Sequence, residues 1–285
     1  MCCPNYNSAR ALAQFLTERG LRMHKKWGQN FLLDPVLRTQ LVKILAPERG
    51  ERVWEIGAGI GAMTALLVQN SDFLTVFEID RGFVQTLRKL FDAHVRVIEG
   101  DVLQQWHAAA AQEQPACVLG NLPYNIAARF IGNTIESGYI FKRMVVTVQK
   151  EIGLRMTALP AQKWYSYFSV LCQWQYEVRV IRNVAPVCFW PRPHVVSQAL
   201  VLTKRNAVPS CVDPALFLHV TKTLFSARRK TVRNNLLTWQ KRMPGGAAVC
   251  VEELCARAGI DARARAEQLS IYDFITLSDT LRALL

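Results

Sequence analysis

Short apolar runs alternate with amphipathic stretches from residue 52 to about residue 203, and this alternation limits the possible folds more than any other feature of the sequence. An apolar run followed by a helix-like stretch is typical of a βαβ unit, whose strands lie parallel and whose helices cover both faces of the sheet. We therefore predict an α/β fold. The predicted strands cover residues 52–56, 74–79, 95–98, 116–119 and 144–148, and residues 177–181 and 195–203 are expected to add edge strands.

The strand pattern stops after residue 205, and only helix-like stretches follow. We place a domain boundary near residues 204–212 and divide the chain into an N-terminal extension (1–23), an α/β domain (24–207) and a small all-helical C-terminal domain (208–285). The predicted helices cover residues 8–19, 61–69, 82–90 and 126–136 before the boundary and residues 213–225, 230–240, 251–258 and 273–284 after it, with a break at Pro244-Gly245-Gly246.

The sequence lacks the patterns of several other protein classes. No stretch approaches the roughly 18 consecutive apolar residues that a membrane-spanning helix needs. The first 22 residues have neither the charged nor the apolar region of a secretory signal. The eight cysteines include no C-x-x-C pair and no His/Cys cluster with zinc spacing. We therefore expect a cytosolic protein with reduced thiols, no membrane span and no metal site.

Positive charge is concentrated in one part of the chain. The formal net charge is +13, and residues 178–251 carry +11 of it because they contain twelve Lys and Arg but a single acid, Asp213. A solubilising surface is one explanation, but such surfaces mix both signs, so we expect this segment to bind phosphates of a nucleic acid. The cations are Arg179, Arg182, Arg192, Lys204, Arg205, Lys222, Arg228, Arg229, Lys230, Arg233, Lys241 and Arg242.

Three glycines, Gly57, Gly59 and Gly61, follow the first predicted strand of the sheet. They let the backbone turn sharply and approach a ligand at the carboxyl end of a strand, where such sheets bind cofactors. Glu78 ends the next strand, 21 residues after Gly57, at a position where a carboxylate accepts hydrogen bonds from ribose hydroxyls. The same pattern fits a dinucleotide site, so an NAD(P) oxidoreductase stays open at this point.

Two aspartates stand near the ends of predicted strands. Asp80 is interpreted as a helix cap. Asp101 follows the third strand, where it could accept a hydrogen bond from an adenine amino group or simply belong to a turn.

The turn Asn121-Leu122-Pro123-Tyr124 follows the fourth predicted strand and indicates the reaction. The N6 lone pair of adenine is delocalised into the ring and is a poor nucleophile. The side-chain carbonyl of Asn121 and the backbone carbonyl of Leu122 could accept hydrogen bonds from both N6 protons and aim the lone pair at a sulfonium methyl. Pro123 fixes the turn, and Tyr124 offers an aromatic face to an unstacked adenine, worth roughly 1–3 kcal/mol. A purely structural turn with a packed tyrosine is the alternative.

Together these motifs resemble those of the ribosomal RNA adenine dimethyltransferase family. The resemblance runs from residue 24 to about residue 280 in consistent order. It implies a Rossmann-like class I methyltransferase sheet with a small helical C-terminal domain, S-adenosylmethionine as cofactor, and dimethylation of two adjacent adenosines in the 3′-terminal hairpin of small-subunit ribosomal RNA. It is carried by residues 24–32, 57–61, 77–80, 100–101, 121–126, 149–151, 189–193, 225–231 and 265–270.

The resemblance also implies roles for individual residues. Phe189 resembles a second aromatic that sandwiches the target base against Tyr124. The family's usual Pro, Ser-Thr and Lys-Val-Asp are replaced by Ala58, Ala127-Ala128 and His194-Val195-Val196, the last two near the target-base side. Contacts with S-adenosylmethionine fall on Asn30, Leu32, Gly57, Glu78, Asp101 and Asn121, and contacts with RNA are expected at Arg228, Arg229, Lys230 and Arg233.

Three other functions remain as alternatives. A large-subunit methylase of the resistance type shares the Asn-x-Pro-Tyr turn, but the basic helical tail favours the small-subunit enzyme. An NAD(P) oxidoreductase leaves both turn and tail unexplained, and a non-catalytic assembly protein does not need every catalytic position filled. We expect a monomeric, cytosolic enzyme of ribosome biogenesis that acts on small-subunit ribosomal RNA or on the precursor subunit.

Overall fold

The computed structural model describes residues 2–91, 95–241 and 249–285, so Arg242 and the predicted break at residues 244–246 lie outside the described residues. The chain forms two compact units. The first contains Met1–Gly153 and Glu177–Lys204, and the second contains Leu154–Tyr176 and Arg205–Leu285.

The strands of the described chain belong to the first unit or begin at its border. They are β1 (Phe31–Leu32), β2 (Arg52–Ile56), β3 (Phe73–Glu78), β4 (Val95–Glu99), β5 (Cys117–Asn121), β6 (Arg143–Gln149), β7 (Tyr176–Val184), β8 (Phe189–Trp190) and β9 (Ser197–Lys204). Seven of these described strands form one sheet in the order β4-β3-β2-β5-β6-β9-β7. The first five lie parallel, and β9 runs antiparallel to β6. β1 and β8 form a separate antiparallel pair.

Burial explains why the central strands are mostly apolar. Val53, Trp54, Val118 and Leu119 are all fully or almost fully buried, because helices cover both faces of a parallel sheet. The helices of this unit are α1 (Ala9–Glu18), α2 (Pro35–Leu45), α3 (Thr64–Leu67), α4 (Arg81–Phe91), α5 (Val102–Glu113) and α6 (Ala127–Glu136).

The structure confirms the predicted α/β class and corrects one strand. The five parallel strands lie within two residues of their predicted limits. β7 is an edge strand, as expected, but β9 lies between β6 and β7 and is not an edge strand. Its pairing over seven residues with β6 buries Ser197, Ala199 and Val201, and this long-range contact leaves no mark in the local pattern.

The second unit is helical. α7 (Lys150–Thr157) crosses its border, and α8 (Tyr167–Gln175), α9 (Pro214–Phe225), α10 (Val232–Gln240), α11 (Val251–Arg257) and α12 (Ile271–Leu284) follow. The predicted division at residues 207/208 did not include Leu154–Tyr176 in this unit. These residues join it because the Tyr165 hydroxyl donates to the Leu269 carbonyl at 2.9 Å and Trp174 Nε1 donates to the Pro209 carbonyl at 2.9 Å.

The predicted N-terminal extension packs into the first unit. Leu12, Phe15 and Leu16 on α1 are buried against a cluster that includes Ile60 and Phe83. The segment therefore contributes part of that unit's core. Among the described residues, no helix is both long enough and apolar enough to cross a membrane.

Candidate active site

A cavity opens at the carboxyl ends of β2 to β5 in the first unit. Five of the six predicted cofactor residues line it: Asn30, Gly57, Glu78, Asp101 and Asn121. The parallel sheet explains this convergence, because each of these strands ends at the same edge and passes its next residues into the cavity.

The glycine loop brings its backbone close to the neighbouring strand ends. Gly57 and Gly59 have φ angles of +73° and +59°, in the left-handed region that favours glycine. Gly57 N–H donates to the Phe77 carbonyl at 2.9 Å. A Cβ on Gly59 would stand 2.7 Å from the ring of Phe31. Both glycines are therefore required by geometry, which the sequence pattern had predicted.

Glu78 is held inside the site by backbone hydrogen bonds. Its Oε2 accepts from Gly59 N–H at 2.7 Å and its Oε1 from Asp80 N–H at 2.9 Å, and the residue is 5% exposed. Burial raises the pKa of this carboxyl from 4.5 to about 7, the two backbone hydrogen bonds oppose that rise, and the charge of Asp80 adds to it. The Glu78 carboxyl thus lines the cavity with both oxygens held by backbone N–H groups, and burial outweighs these hydrogen bonds in setting its pKa.

The two aspartates have the capping roles that their positions allow. Asp80 Oδ1 accepts from the N–H groups of Gly82 and Phe83 at the start of α4, which confirms the predicted cap. Asp101 caps α5, with Oδ1 accepting from Leu103 N–H at 2.9 Å, and also lines the cavity.

Asn121 is oriented by its contact with Asn30. Its Nδ2 donates to the Asn30 backbone carbonyl at 2.6 Å, and the Asn30 side chain in turn donates to the Gly28 carbonyl at 2.9 Å. Because the amide nitrogen is engaged in this way, the Asn121 side-chain oxygen is the acceptor that remains for a ligand. This is the orientation that an acceptor of an N6 proton requires.

The other residues of the turn are Leu122, Pro123 and Tyr124. Leu122 is buried, and its N–H donates to the Thr147 carbonyl at 3.0 Å. Pro123 lines the cavity and packs near Gly57. Tyr124 is half-buried, its hydroxyl lies 2.8 Å from Ser197 Oγ, and burial raises the pKa of the phenol. The hydrogen bond fixes the tilt of the Tyr124 ring.

Four of the predicted catalytic and cofactor-binding residues do not line the cavity: Leu32, Leu122, Tyr124 and Phe189. Leu32 and Phe189 are each 2% exposed, pair with each other in the β1–β8 ladder and pack in the main core. The Phe189 side chain therefore offers no open face to a base in this structure. Its role as a second stacking aromatic, and the cofactor contact of Leu32, have no geometric support here.

The four predicted RNA-binding residues lie at the surface of the second unit. Arg228 pairs with Glu267 at 3.0 Å and Arg233 with Glu252 at 2.6 Å, whereas Arg229 and Lys230 are exposed and form no ion pair with any residue that the structure describes. The helix predicted to begin at residue 230 begins at Val232 instead, after the Thr231 cap, so Lys230 lies before it and Arg233 within it.

Sequence analysis missed a buried carboxyl beneath the glycine loop. Glu55 is 2% exposed and its Oε2 accepts from Thr64 Oγ1 at 2.6 Å. Burial raises the pKa of Glu55 to about 8, and the negative charge of Glu78 adds to that rise. An acid at the penultimate position of an apolar strand was the available signal.

The family model for the ribosomal RNA adenine dimethylases matches residues 20–282. The chain belongs to this family. A relative, the ribosomal RNA small subunit methyltransferase A of Treponema denticola, is 41% identical over 283 residues, which are 98% of this chain and 96% of that protein. The predicted family, methyltransferase fold, enzyme class and S-adenosylmethionine cofactor are thereby confirmed, and the oxidoreductase alternative is set aside.

Two solved structures share the fold. A dimethyladenosine transferase from Plasmodium falciparum superposes with a TM-score of 0.70 at 20% identity, covering 86% of this chain and 94% of that one. The 23S rRNA methyltransferase ErmE has a TM-score of 0.63 at 20% identity, covering 88% and 99%. At this identity both show the fold alone, so the second does not favour a large-subunit substrate.

Proposed function

We propose that this protein transfers methyl groups from S-adenosylmethionine to N6 of two adjacent adenosines in the 3′-terminal hairpin of small-subunit ribosomal RNA, as a step in ribosome biogenesis. The observation that carries the proposal is the orientation of Asn121. Its side-chain oxygen remains as a hydrogen-bond acceptor in a cavity that is also lined by Glu78, the carboxylate proposed to bind the ribose hydroxyls.

The cavity residues fit the cofactor's polar groups. Glu78 accepts hydrogen bonds from the ribose hydroxyls, and Asp101 accepts from the adenine amino group. Gly57 allows close approach of the backbone, and Asn30 both lines the cavity and orients Asn121. When bound, S-adenosylmethionine supplies an electrophilic methyl group on its sulfonium.

The Asn121–Tyr124 turn acts on the target base. The Asn121 oxygen and the Leu122 carbonyl accept hydrogen bonds from the N6 protons, so that the nitrogen becomes more tetrahedral and its lone pair, less delocalised into the ring, faces the methyl group. The Tyr124 ring supports the unstacked adenine, and Ser197 keeps that ring in place. The base must leave its stack because the reacting amine has to enter the domain. Positioning supplies much of the rate.

The basic residues of the second unit hold the RNA through its phosphates. Arg228, Arg229, Lys230 and Arg233 are the proposed contacts, and the substrate is small-subunit ribosomal RNA within the precursor subunit. The relative from Treponema denticola is named for small-subunit methylation, which supports this choice over the large subunit. We further propose that the enzyme is a cytoplasmic monomer.

The experiment that tests the proposal maps methylation directly. The protein is incubated with labelled S-adenosylmethionine and a mixture of unmethylated small and large subunits, and the labelled nucleotides are identified. Two adjacent N6,N6-dimethyladenosines near the 3′ end are expected, and Tyr124→Ala should reduce their formation with little change in cofactor affinity. Label on large-subunit RNA, or on a single distant adenosine, would contradict the proposal.

A further inference from the structure

The N-terminal segment, residues 2–23, touches the cofactor loop from its buried side. The Tyr6 hydroxyl donates to the backbone carbonyl of Ile60 at 3.0 Å, in the middle of the glycine loop. Tyr6 is 8% exposed and Ile60 is fully buried. An intact hydrogen bond inside a core is lost only at the expense of leaving a carbonyl unsatisfied.

A second contact holds the end of the same loop. Arg38 on α2 is 5% exposed, and its guanidinium donates to the Ala62 carbonyl at 3.3 Å and to the side-chain oxygen of Asn7. The Arg38 guanidinium also lies over the Tyr6 ring, 5.8 Å from its centroid. Tyr6 and Asn7 are therefore joined to two carbonyls of the loop, one directly and one through Arg38.

The segment also reaches the second strand end of the cofactor site. Leu21 packs so closely on Gly82, at the start of α4, that a Cβ there would stand 2.6 Å from it. His24 N–H donates to Gln29 Oε1 at 2.7 Å, and Gln29 Nε2 donates to Asp80 Oδ2 at 3.1 Å, two residues beyond Glu78. Leu21 of the segment, and the His24–Gln29 pair that follows it, thus contact the chain just beyond Glu78.

We propose that residues 2–23, together with Arg38 on α2, are a working part of the cofactor site, in which Tyr6, Asn7 and Arg38 act as positioning residues that hold the glycine loop in its binding conformation and so set the affinity for S-adenosylmethionine. The inference rests on the proposed cofactor site at Gly57 and Glu78. Tyr6 lies before residue 20, where the match to the family model begins, so this contact is an addition to the residues that define the family.

The test uses the full chain, because removing residues 2–23 would remove α1 and expose the core residues that it covers, such as Ile60 and Phe83. Tyr6→Phe removes one hydroxyl and keeps the ring. Tyr272→Phe, at a residue that is 69% exposed in the second unit, is the matched control. Calorimetric titration with S-adenosylmethionine should give a dissociation constant raised about 2- to 12-fold for Tyr6→Phe, the range that corresponds to one lost hydrogen bond, and an unchanged one for the control. Asn7→Ala should shift it in the same direction by less.

Kinetics separate positioning from a general loss of folding. For Tyr6→Phe we expect a raised KM for S-adenosylmethionine, an unchanged KM for the subunit, and a kcat that recovers at saturating cofactor. Glu78→Gln, measured in parallel, tests the site itself. If Tyr6→Phe binds the cofactor as the parent does while Glu78→Gln binds weakly, the positioning role is overturned and the cofactor site stands. If both bind as the parent does, the proposed site and the inference are overturned together.

Discussion

The cofactor end of the sheet and the basic surface of the helical unit use polar residues in opposite ways. At the sheet, Glu78 and Asn121 are buried or half-buried and held by hydrogen bonds of 2.6–2.9 Å. In the helical unit, Arg229 and Lys230 are exposed, and Arg228 and Arg233 make ion pairs with acids at the surface. The polar side chains of the first region are held in a single arrangement, whereas the cations of the second region can exchange one ion-pair partner for another.

This difference matches what each region is proposed to bind. A methyl transfer depends on a few groups being placed before the substrate arrives, so the groups that orient it are anchored. Phosphate binding gains free energy from counterion release and tolerates mobile side chains. Exposed ion pairs contribute about 0–1 kcal/mol, so Arg228 and Arg233 can leave Glu267 and Glu252 for a phosphate at small cost.

The largest effect should come from the anchored region. Asn121→Ala removes the oriented acceptor, and kcat should fall on the order of 10²- to 10³-fold, the size expected for losing one preorganised hydrogen-bonding group at a reacting centre. Asn133→Ala, at an exposed position of α6, is the control. The measurement is single-turnover methylation of small subunits. A parental rate for Asn121→Ala would show that the acceptor lies elsewhere.

The anchored region was also the more predictable one. Glu78 and Asn121 end strands, and Gly57 and Asp101 lie within two residues of a strand end. Because the carboxyl ends of parallel strands meet at one edge of the sheet, the local pattern was sufficient to predict that these residues lie together. α8 was not predicted, because its Phe168, Val170, Leu171 and Trp174 are buried on several sides and leave no amphipathic period.

Long-range contacts account for several further differences between the predicted and the observed structure. The placement of Leu154–Tyr176 in the helical unit depends on such contacts, as does the burial of Phe189. Glu252 and Glu267 are 19 and 39 residues from the cations they pair with. Both lie beyond residue 251, so a count over residues 178–251 overstated the free charge of that segment.

The basic surface of the helical unit nevertheless lies next to one anchored residue, Asn235 on α10. Asn235 is 3% exposed, and its Nδ2 lies within 3.2–3.4 Å of the carbonyls of Leu224, Ala227, Lys230 and Thr231. Asn235→Ala should lower the free energy of unfolding by about 1–3 kcal/mol, because it leaves buried carbonyls unsatisfied. Chemical denaturation measures this, with the exposed neighbour variant Asn234→Ala as the control. Equal stabilities of the two variants would contradict the anchoring role.

The pH dependence of cofactor binding distinguishes the two regions further. Burial raises the pKa of Glu78 to about 7, and only the ionised form accepts hydrogen bonds from both ribose hydroxyls. Affinity for S-adenosylmethionine should therefore rise with pH to a plateau above about 7 and fall up to tenfold per pH unit below it. Calorimetry from pH 5.5 to pH 8.5 measures this trend, and Glu78→Gln should flatten it.

The stability of the free protein should show the opposite trend. A raised pKa means that the folded state holds the Glu78 proton more tightly than the unfolded chain does. The resulting stability is fully present below the ordinary value of 4.5 and is lost as the pH rises through about 7. A parent and a Glu78→Gln variant with the same pH profile, for both affinity and stability, would contradict the assignment of this carboxyl.

The smallest effect per residue is expected at the basic surface, where no single cation dominates. Each phosphate contact should contribute about 0.7–0.9 to the slope of log affinity against log salt concentration. Converting Arg229 and Lys230 together to Ala should lower that slope by about 1.4–1.8 for small-subunit binding.

The double variant of Arg228 and Arg233 should lose less affinity, because binding by those residues must first break the ion pairs with Glu267 and Glu252. Lys43→Ala with Arg49→Ala, two exposed cations of the first unit, removes the same charge and should leave the slope unchanged. Affinity for S-adenosylmethionine should be unaltered in all of these variants. If the slope is also unchanged when Arg228, Arg229, Lys230 and Arg233 are all replaced, the RNA is bound by another surface with different cations.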